Sequence, residues 1–166
     1  MLRVENTLLL LVDVQGKLAH SMYDREALFA NLQRLIRGAL VLELPILWME
    51  QYPQGLGPTV PELAALLPGR QPIAKTSFSC CGSEAFLQAL AATGRWQVLL
   101  AGIETHVCIY QTTVDLLARG YHVEVVADAV SSRTAQNREI GLQRVRAIGA
   151  ALTSVEMALF ELQRVA

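Results

Sequence analysis

From Thr7 to Val12 the chain is a continuous apolar run closed by Asp13, the pattern of a central parallel strand buried on both faces. The period then changes. Leu28, Leu32, Leu35, Ile36, Ala39 and Leu40 recur at helical spacing, which predicts a helix over about Glu26 to Leu44, stopped by Pro45. Ile46 to Met49 reads as a second strand, Glu62 to Leu67 as a short helix and Gln71 to Lys75 as a third strand. Ser83 is placed to cap a helix over Glu84 to Ala92. Trp96 to Ala101 is a fourth strand, broken at Gly102. A helix follows that takes up Val107 to Gln111, runs to about Ala118 and is ended by Gly120. His122 to Ala127 is a fifth buried strand, Asp128 to Arg133 a loop, Ala135 to Gly149 a helix, and Ala151 to Thr153 a last strand before a final helix capped by Ser154. Strand and helix alternate with no repeat, low-complexity tract or linker. Residues 1–166 therefore read as a single doubly wound α/β domain.

At 166 residues, 52% of them hydrophobic and 17% charged, the chain can bury a sizeable core. Apolar content this high in a short chain also points to surface covered by other subunits, hence a homo-oligomer. A net charge of −1 gives no electrostatic case for nucleic acid or an anionic membrane as partner, and leaves a small molecule as the expected ligand. The cysteines are Cys80, Cys81 and Cys108, an odd count with two adjacent, which suits a reducing compartment better than a disulfide framework. The apolar run at the start is too short to span a bilayer and has no small-residue cleavage site, so the expected location is cytoplasmic.

Three groups carry candidate chemistry. Cys108 falls in the first turn of a helix after a strand, where unpaired amides and the helix dipole favour a thiolate. The plain alternative is a small buried hydrophobe. Lys75 is one of only two lysines, with Lys17, in a chain that takes its other positive charges from arginine. It is either a surface residue past a strand end or a buried ammonium placed for its reach. Asp13 closes the first strand. All three lie at carboxyl ends of different parallel strands, the rim where such sheets bind ligands. Brought together, Cys108 serves as nucleophile, Asp13 takes its proton and later returns it to a leaving amine, and Lys75 holds the carboxylate. Amides of Cys108 and of the corner at Glu104 are positioned to meet an oxyanion.

The segment from Glu50 to Pro61 reads as a loop, either a surface connection or a pocket wall carrying Gln51 and Tyr52. Gln15 and Phe78 are candidates for the same pocket or for ordinary loop packing. His106 is expected to point away from Cys108, Cys80 and Cys81 to pack, Asp128 and Ser131 to Arg133 to tie loops together, and Trp48 and Trp96 to lie in the core.

The segments LLLVDVQ, AKTSFS and GIETHVCIYQT, in this order and at these separations, resemble the isochorismatase-like cysteine hydrolase superfamily, which includes nicotinamidases and N-carbamoylsarcosine amidases. The similarity runs over nearly the whole chain, to the VADAVSSR stretch. It implies a Rossmann-like three-layer sandwich with a six-stranded parallel sheet, and a catalytic set on Asp13, Lys75 and Cys108. It also implies a non-proline cis peptide just before the nucleophile, at Ile103–Glu104, that turns N–H groups toward the oxyanion.

The resemblance has one departure that bears on substrate. Nicotinamidases carry an Asp-x-His pair and a further His after the second strand. Here that region is Trp48-Met49-Glu50-Gln51-Tyr52-Pro53, and the histidines are His20, His106 and His122. No metal or other cofactor is expected, and the EQYPQGLG loop looks like that of the short, oligomeric isochorismatase-domain hydrolases. Two function classes follow: a hydrolase of a small amide or related C–N compound through a thioester-type intermediate, or a non-catalytic oligomeric scaffold with a vestigial triad. A flavodoxin-like nucleotide or flavin binder is disfavoured, because DVQGKL is not a glycine-rich phosphate turn.

Overall fold

A computed structural model describes residues 1–165. The apolar run after Asn6 becomes strand β1 (Thr7–Val12), every residue of which is buried. Its side chains alternate between two cores. Leu9 and Leu11 pack with Leu32, Leu35 and Ile36 of helix α2 (Arg25–Val41) and with Ala158 and Leu162 of α8 (Val155–Gln163). Leu8, Leu10 and Val12 pack on the other face with Phe86 of α5 (Glu84–Ala92), Leu116 of α6 (Tyr110–Ala118) and Val145 of α7 (Ala135–Ala147). A strand apolar on both sides thus demands helices on both sides, and three layers result.

The remaining strands are β2 (Ile46–Gln51), β3 (Ile73–Lys75), β4 (Gln97–Ile103), β5 (His122–Ser131) and β6 (Ala151–Thr153). All pair in parallel, in the order β3-β2-β1-β4-β5-β6. The α/β class and the six-stranded parallel sheet are those expected from the sequence. The order reverses between β1 and β4, so a crevice opens at their carboxyl ends, which are Val12 and Ile103.

Several element boundaries differ from the sequence reading, each for a local reason. Helix α2 ends at Val41, not at Pro45, because Glu43 takes a left-handed φ of 55° and turns the chain back. A short helix α1 (Gly16–His20) follows β1, and two more, α3 (Pro53–Leu56) and α4 (Pro61–Ala64), break up the stretch read as a loop and a helix from Glu50 to Leu67. Strand β2 takes in Glu50 and Gln51. Strand β3 starts only at Ile73, and α7 stops at Ala147. Strand β5 continues through Asp128 to Ser131, where a loop was expected, because its pairing with β4 jumps from Leu100–Val125 to Gly102–Val130. The irregularity lets a polar residue sit inside a strand, and Asp128 Oδ1 accepts the backbone N–H of Val155 at 2.9 Å. Trp48 is buried as expected, but Trp96 is half exposed, lying edge-on to His122 at the sheet's opposite end.

Gly102 does not break β4. It lies within the strand at a φ of 123°, and a Cβ there would stand 2.1 Å from the carbonyl oxygen of Val12, its register partner. The glycine therefore permits the close approach of the two strands that frame the crevice. Gly102→Ala is expected to destabilise the fold by more than about 2 kcal/mol, read as a fall in the urea midpoint, because strain and a backbone clash act together.

Candidate active site

Asp13 follows β1 with a left-handed φ of 58°, a conformation that aspartate tolerates better than most residues. Its amide donates to Met49 O at 3.1 Å, so the residue leaves the sheet while still tied to β2. Lys75 ends β3 and reaches across the end of β2 to it. Nζ lies 2.7 Å from Asp13 Oδ2, 2.6 Å from Gln51 Oε1, and 3.1 Å from each of the carbonyls of Ser77 and Phe78. Both charged side chains are buried, 0% and 3% exposed, so the pair holds without solvent screening. The surface alternative for Lys75 is ruled out by that burial.

Cys108 reaches the same place from β4. The peptide between Ile103 and Glu104 is cis, and the chain passes directly into one π-type turn, Thr105–Ile109, before α6. The helical stretch thus begins two residues before Val107, and Cys108 is its fourth residue. Among the described residues Asp13 Oδ1 has no hydrogen-bond partner, while the Cys108 thiol lies near enough that each group shifts the other's titration.

The electrostatics run against the expected thiolate. Burial, and then the charge of Asp13, push the Cys108 thiol up to about 12, and the ammonium of Lys75 only partly opposes them. The helix-start position does not win, because a dry site beside a carboxylate disfavours a second negative charge. The Asp13 carboxyl is itself raised above its ordinary value, by burial first, with Lys75 opposing and Glu50 adding to the rise. At rest the proton belongs on sulfur, beside a base made stronger by its surroundings.

A cavity of about 100 Å³ opens next to Cys108, lined by Asp13, Gln51, Phe78, Ile103 and Glu104 together with Leu18, Leu56 and Val107. Of the four residues assigned to the pocket from the sequence, Gln51 and Phe78 are there. Gln15 is not: it is fully buried, its Oε1 accepts from Gln51 N at 2.7 Å, and its Nε2 donates to Gln51 O and Gly57 O. It fastens the following loop to β2. Tyr52 is not in the cavity either; its φ of 36° turns it outward, into a separate depression with Ala74 and Ser83. Leu18, Leu56 and Val107 were missed. Leu56 carried a legible signal, as an isolated apolar residue between two glycines in a polar loop.

The other assignments concern support. His106 Nδ1 lies 2.9 Å from Ser132 Oγ, away from Cys108. Glu104 is buried and its Oε2 accepts the backbone N–H and Nε of Arg133, which joins the VADAVSSR stretch to the corner before Cys108. Cys80 and Cys81 are buried and unpaired. Among the described residues, no group of three or more His, Cys, Asp or Glu side chains is arranged to hold a metal ion, and no helix is long and apolar enough to cross a membrane.

A parallel sheet in this order, with a thiol and a carboxylate flanking its crevice, is the build of an α/β hydrolytic enzyme of the isochorismatase type. The chain belongs to the isochorismatase domain family, whose sequence model matches residues 7–157. It is 44% identical over 158 residues to isochorismatase domain-containing protein 2 of Bos taurus, covering 95% of this chain and 75% of that protein. Among solved structures, MAR1 ribonuclease from Caenorhabditis elegans is 40% identical, with a TM-score of 0.90 over 97% of this chain and 83% of that one. The YcaC gene product of Escherichia coli, described as an octameric hydrolase of unknown specificity, is 30% identical, with a TM-score of 0.93 over 99% of this chain and 82% of that one. YcaC from Pseudomonas aeruginosa, solved with hexane-2,5-diol and covalent acrylamide, is also 30% identical, with a TM-score of 0.94 over 99% of this chain and 83% of that one. A relative called a ribonuclease removes the support for excluding nucleic acid on net charge alone.

Two outcomes test the site's electrostatics. Alkylation of Cys108 by iodoacetamide, followed by peptide mass spectrometry, is expected to keep accelerating above pH 9 toward about 12, with no plateau near the ordinary thiol value of 9.0. Lys75→Ala, which strands a buried carboxylate, is expected to lower stability by about 3–5 kcal/mol in urea titration.

Proposed function

We propose that this protein is a cysteine-dependent hydrolase of a small amide or related C–N compound, acting through Asp13, Lys75 and Cys108. The observation that carries this reading is the Asp13 carboxylate: one oxygen is bonded to Lys75 at 2.7 Å, and the other is unpartnered beside a thiol that opens on a cavity. A purely structural ion pair has no need to leave a buried acceptor free.

The proposed cycle is balanced by one proton. As Cys108 Sγ attacks the substrate carbonyl, its proton passes to Asp13, so thiolate never accumulates in the dry site. Amides of Glu104 and Cys108 meet the developing oxyanion after Ile103, where the first helical turn leaves N–H groups without intrahelical partners. Asp13 then gives its proton to the leaving nitrogen, the C–N bond breaks, and a thioester remains on Cys108. Water attacks the thioester, losing a proton to Asp13, and the acid departs as that proton returns to sulfur. Lys75 stays protonated throughout and positions the carboxylate; its four acceptors leave it no proton to share. The raised Asp13 carboxyl fits the base role, since a stronger base takes a thiol proton more readily.

No cofactor enters this cycle. A small-molecule substrate is supported by the cavity, which at about 100 Å³ is far below the size of a nucleotide. RNA is the competing substrate class, raised by the relative called a ribonuclease. We further infer a single-domain chain that assembles with copies of itself, supported by the octameric relative and by Met157 and Phe160 of α8, which are 60% and 66% exposed. A cytoplasmic location remains part of the same reading, on the strength of three unpaired cysteines.

A panel of primary amides and carbamoyl compounds assayed for ammonia release provides the test. Turnover of at least one member is expected to fall by 10³-fold or more, in order of magnitude, in Cys108→Ser and Asp13→Asn, the scale of loss typical for a nucleophile and its base. Cleavage of a fluorogenic RNA that survives in Cys108→Ser, with no ammonia released from any compound, sinks the proposal. Light scattering on the purified protein is expected to give a mass that is a multiple of the single chain.

A further inference from the structure

The nine residues around the cavity divide sharply by chemistry. Leu18, Leu56, Phe78, Ile103 and Val107 are apolar. The polar remainder is acidic or already engaged. Gln51 accepts from Lys75 at one end of its amide and donates to Thr76 O at the other. Glu104 is occupied by Arg133. Asp13 presents an acceptor only. Among the described residues, no Lys, Arg or His lines the cavity, and the Lys75 ammonium bonded to Asp13 already has four oxygens around it.

We propose that this cavity selects small, uncharged acyl groups and rejects substrates whose acyl portion carries a carboxylate. The inference deepens the hydrolase reading and rests on Cys108 being the atom that reacts. An anionic substituent placed here would lose its water beside the carboxylates of Asp13 and Glu104 and gain no cation in exchange. Size follows from volume. An apolar cavity of about 150 Å³ holds benzene, so one of about 100 Å³ holds about four non-hydrogen atoms, a propionyl group or slightly more.

Charge selection can be read without turnover. Cys108 is alkylated by iodoacetamide and by iodoacetate, reagents of nearly equal size of which the first is neutral and the second anionic, and each rate is divided by that for 2-mercaptoethanol. Peptide mass spectrometry isolates Cys108 from Cys80 and Cys81. The normalised preference for iodoacetamide is expected to be at least about tenfold, and to shrink at least about threefold in Leu56→Arg, which adds a cation at a partly exposed wall position. A preference within twofold of the free thiol's, or one unchanged in folded Leu56→Arg, overturns the proposal.

Size selection is read on ammonia release from acetamide, propionamide, butyramide and hexanamide, with succinamate as the charged member. kcat/KM is expected to rise about tenfold per methylene to three or four carbons and then fall, with succinamate at least about a hundredfold below butyramide. An optimum at hexanamide, or equal use of succinamate, overturns it. If no amide is hydrolysed while the alkylation preference holds, the hydrolase reading fails and the selectivity of the cavity stands.

Discussion

A lysine and an aspartate that meet with almost no exposure to solvent set the terms for everything near them. Each ion, taken from water alone, forfeits several kcal/mol of hydration, and mutual attraction recovers this only with good geometry and further partners. The ammonium has them: a carboxylate, an amide oxygen and two carbonyls. The carboxylate has fewer, with one oxygen held and one idle. The asymmetry is informative. The fold fully satisfies the cation and leaves the anion half satisfied, so the unused acceptor of the pair lies on aspartate, beside the Cys108 thiol.

Sheet topology explains how residues 62 positions apart come to lie 2.7 Å apart. Asp13 and Cys108 flank the reversal between β1 and β4, whereas Lys75 stands two strands away from β1 and needs its full length to arrive. Arginine would carry the same charge, but its planar fork cannot place a compact ammonium among four oxygens converging from one carboxylate, one amide and two peptide groups. This accounts for a lysine here in a chain that otherwise favours arginine. On the other flank, Gly102 lets β4 close against β1, and the turn from Thr105 begins at once, so the thiol stays at the crevice instead of riding further along the helix.

Much of this was legible from residue order, and what was not has physical causes. The uniform apolar runs at Thr7–Val12 and Val98–Ala101 could only be central strands, and the three polar groups at strand ends marked the rim. Ser83, Thr134 and Ser154 cap their helices through side-chain oxygens, and two of them were readable as caps from position alone. The extension of β5 was hidden because Asp128 looked like a loop residue, and only the resumed pairing of Val130 and Ser131 with β4 reveals that the strand absorbs it. Gln15 and Tyr52 were misplaced because a polar side chain near a site gives no sign of which way it turns. The thiol's acidity was misjudged for a related reason: helix position is local and readable, but burial and a carboxylate from a distant strand are tertiary.

The tether made by Gln15 separates two duties that many binding loops combine. All three of its hydrogen bonds end on main-chain atoms, those of Gln51 and Gly57, so they are indifferent to which side chains the loop displays. Leu56 lies inside that anchored span and projects into the cavity with no polar obligation of its own. Its identity can therefore drift while the wall keeps its place, and the shape of the cavity can change without disturbing Asp13, Lys75 or Cys108.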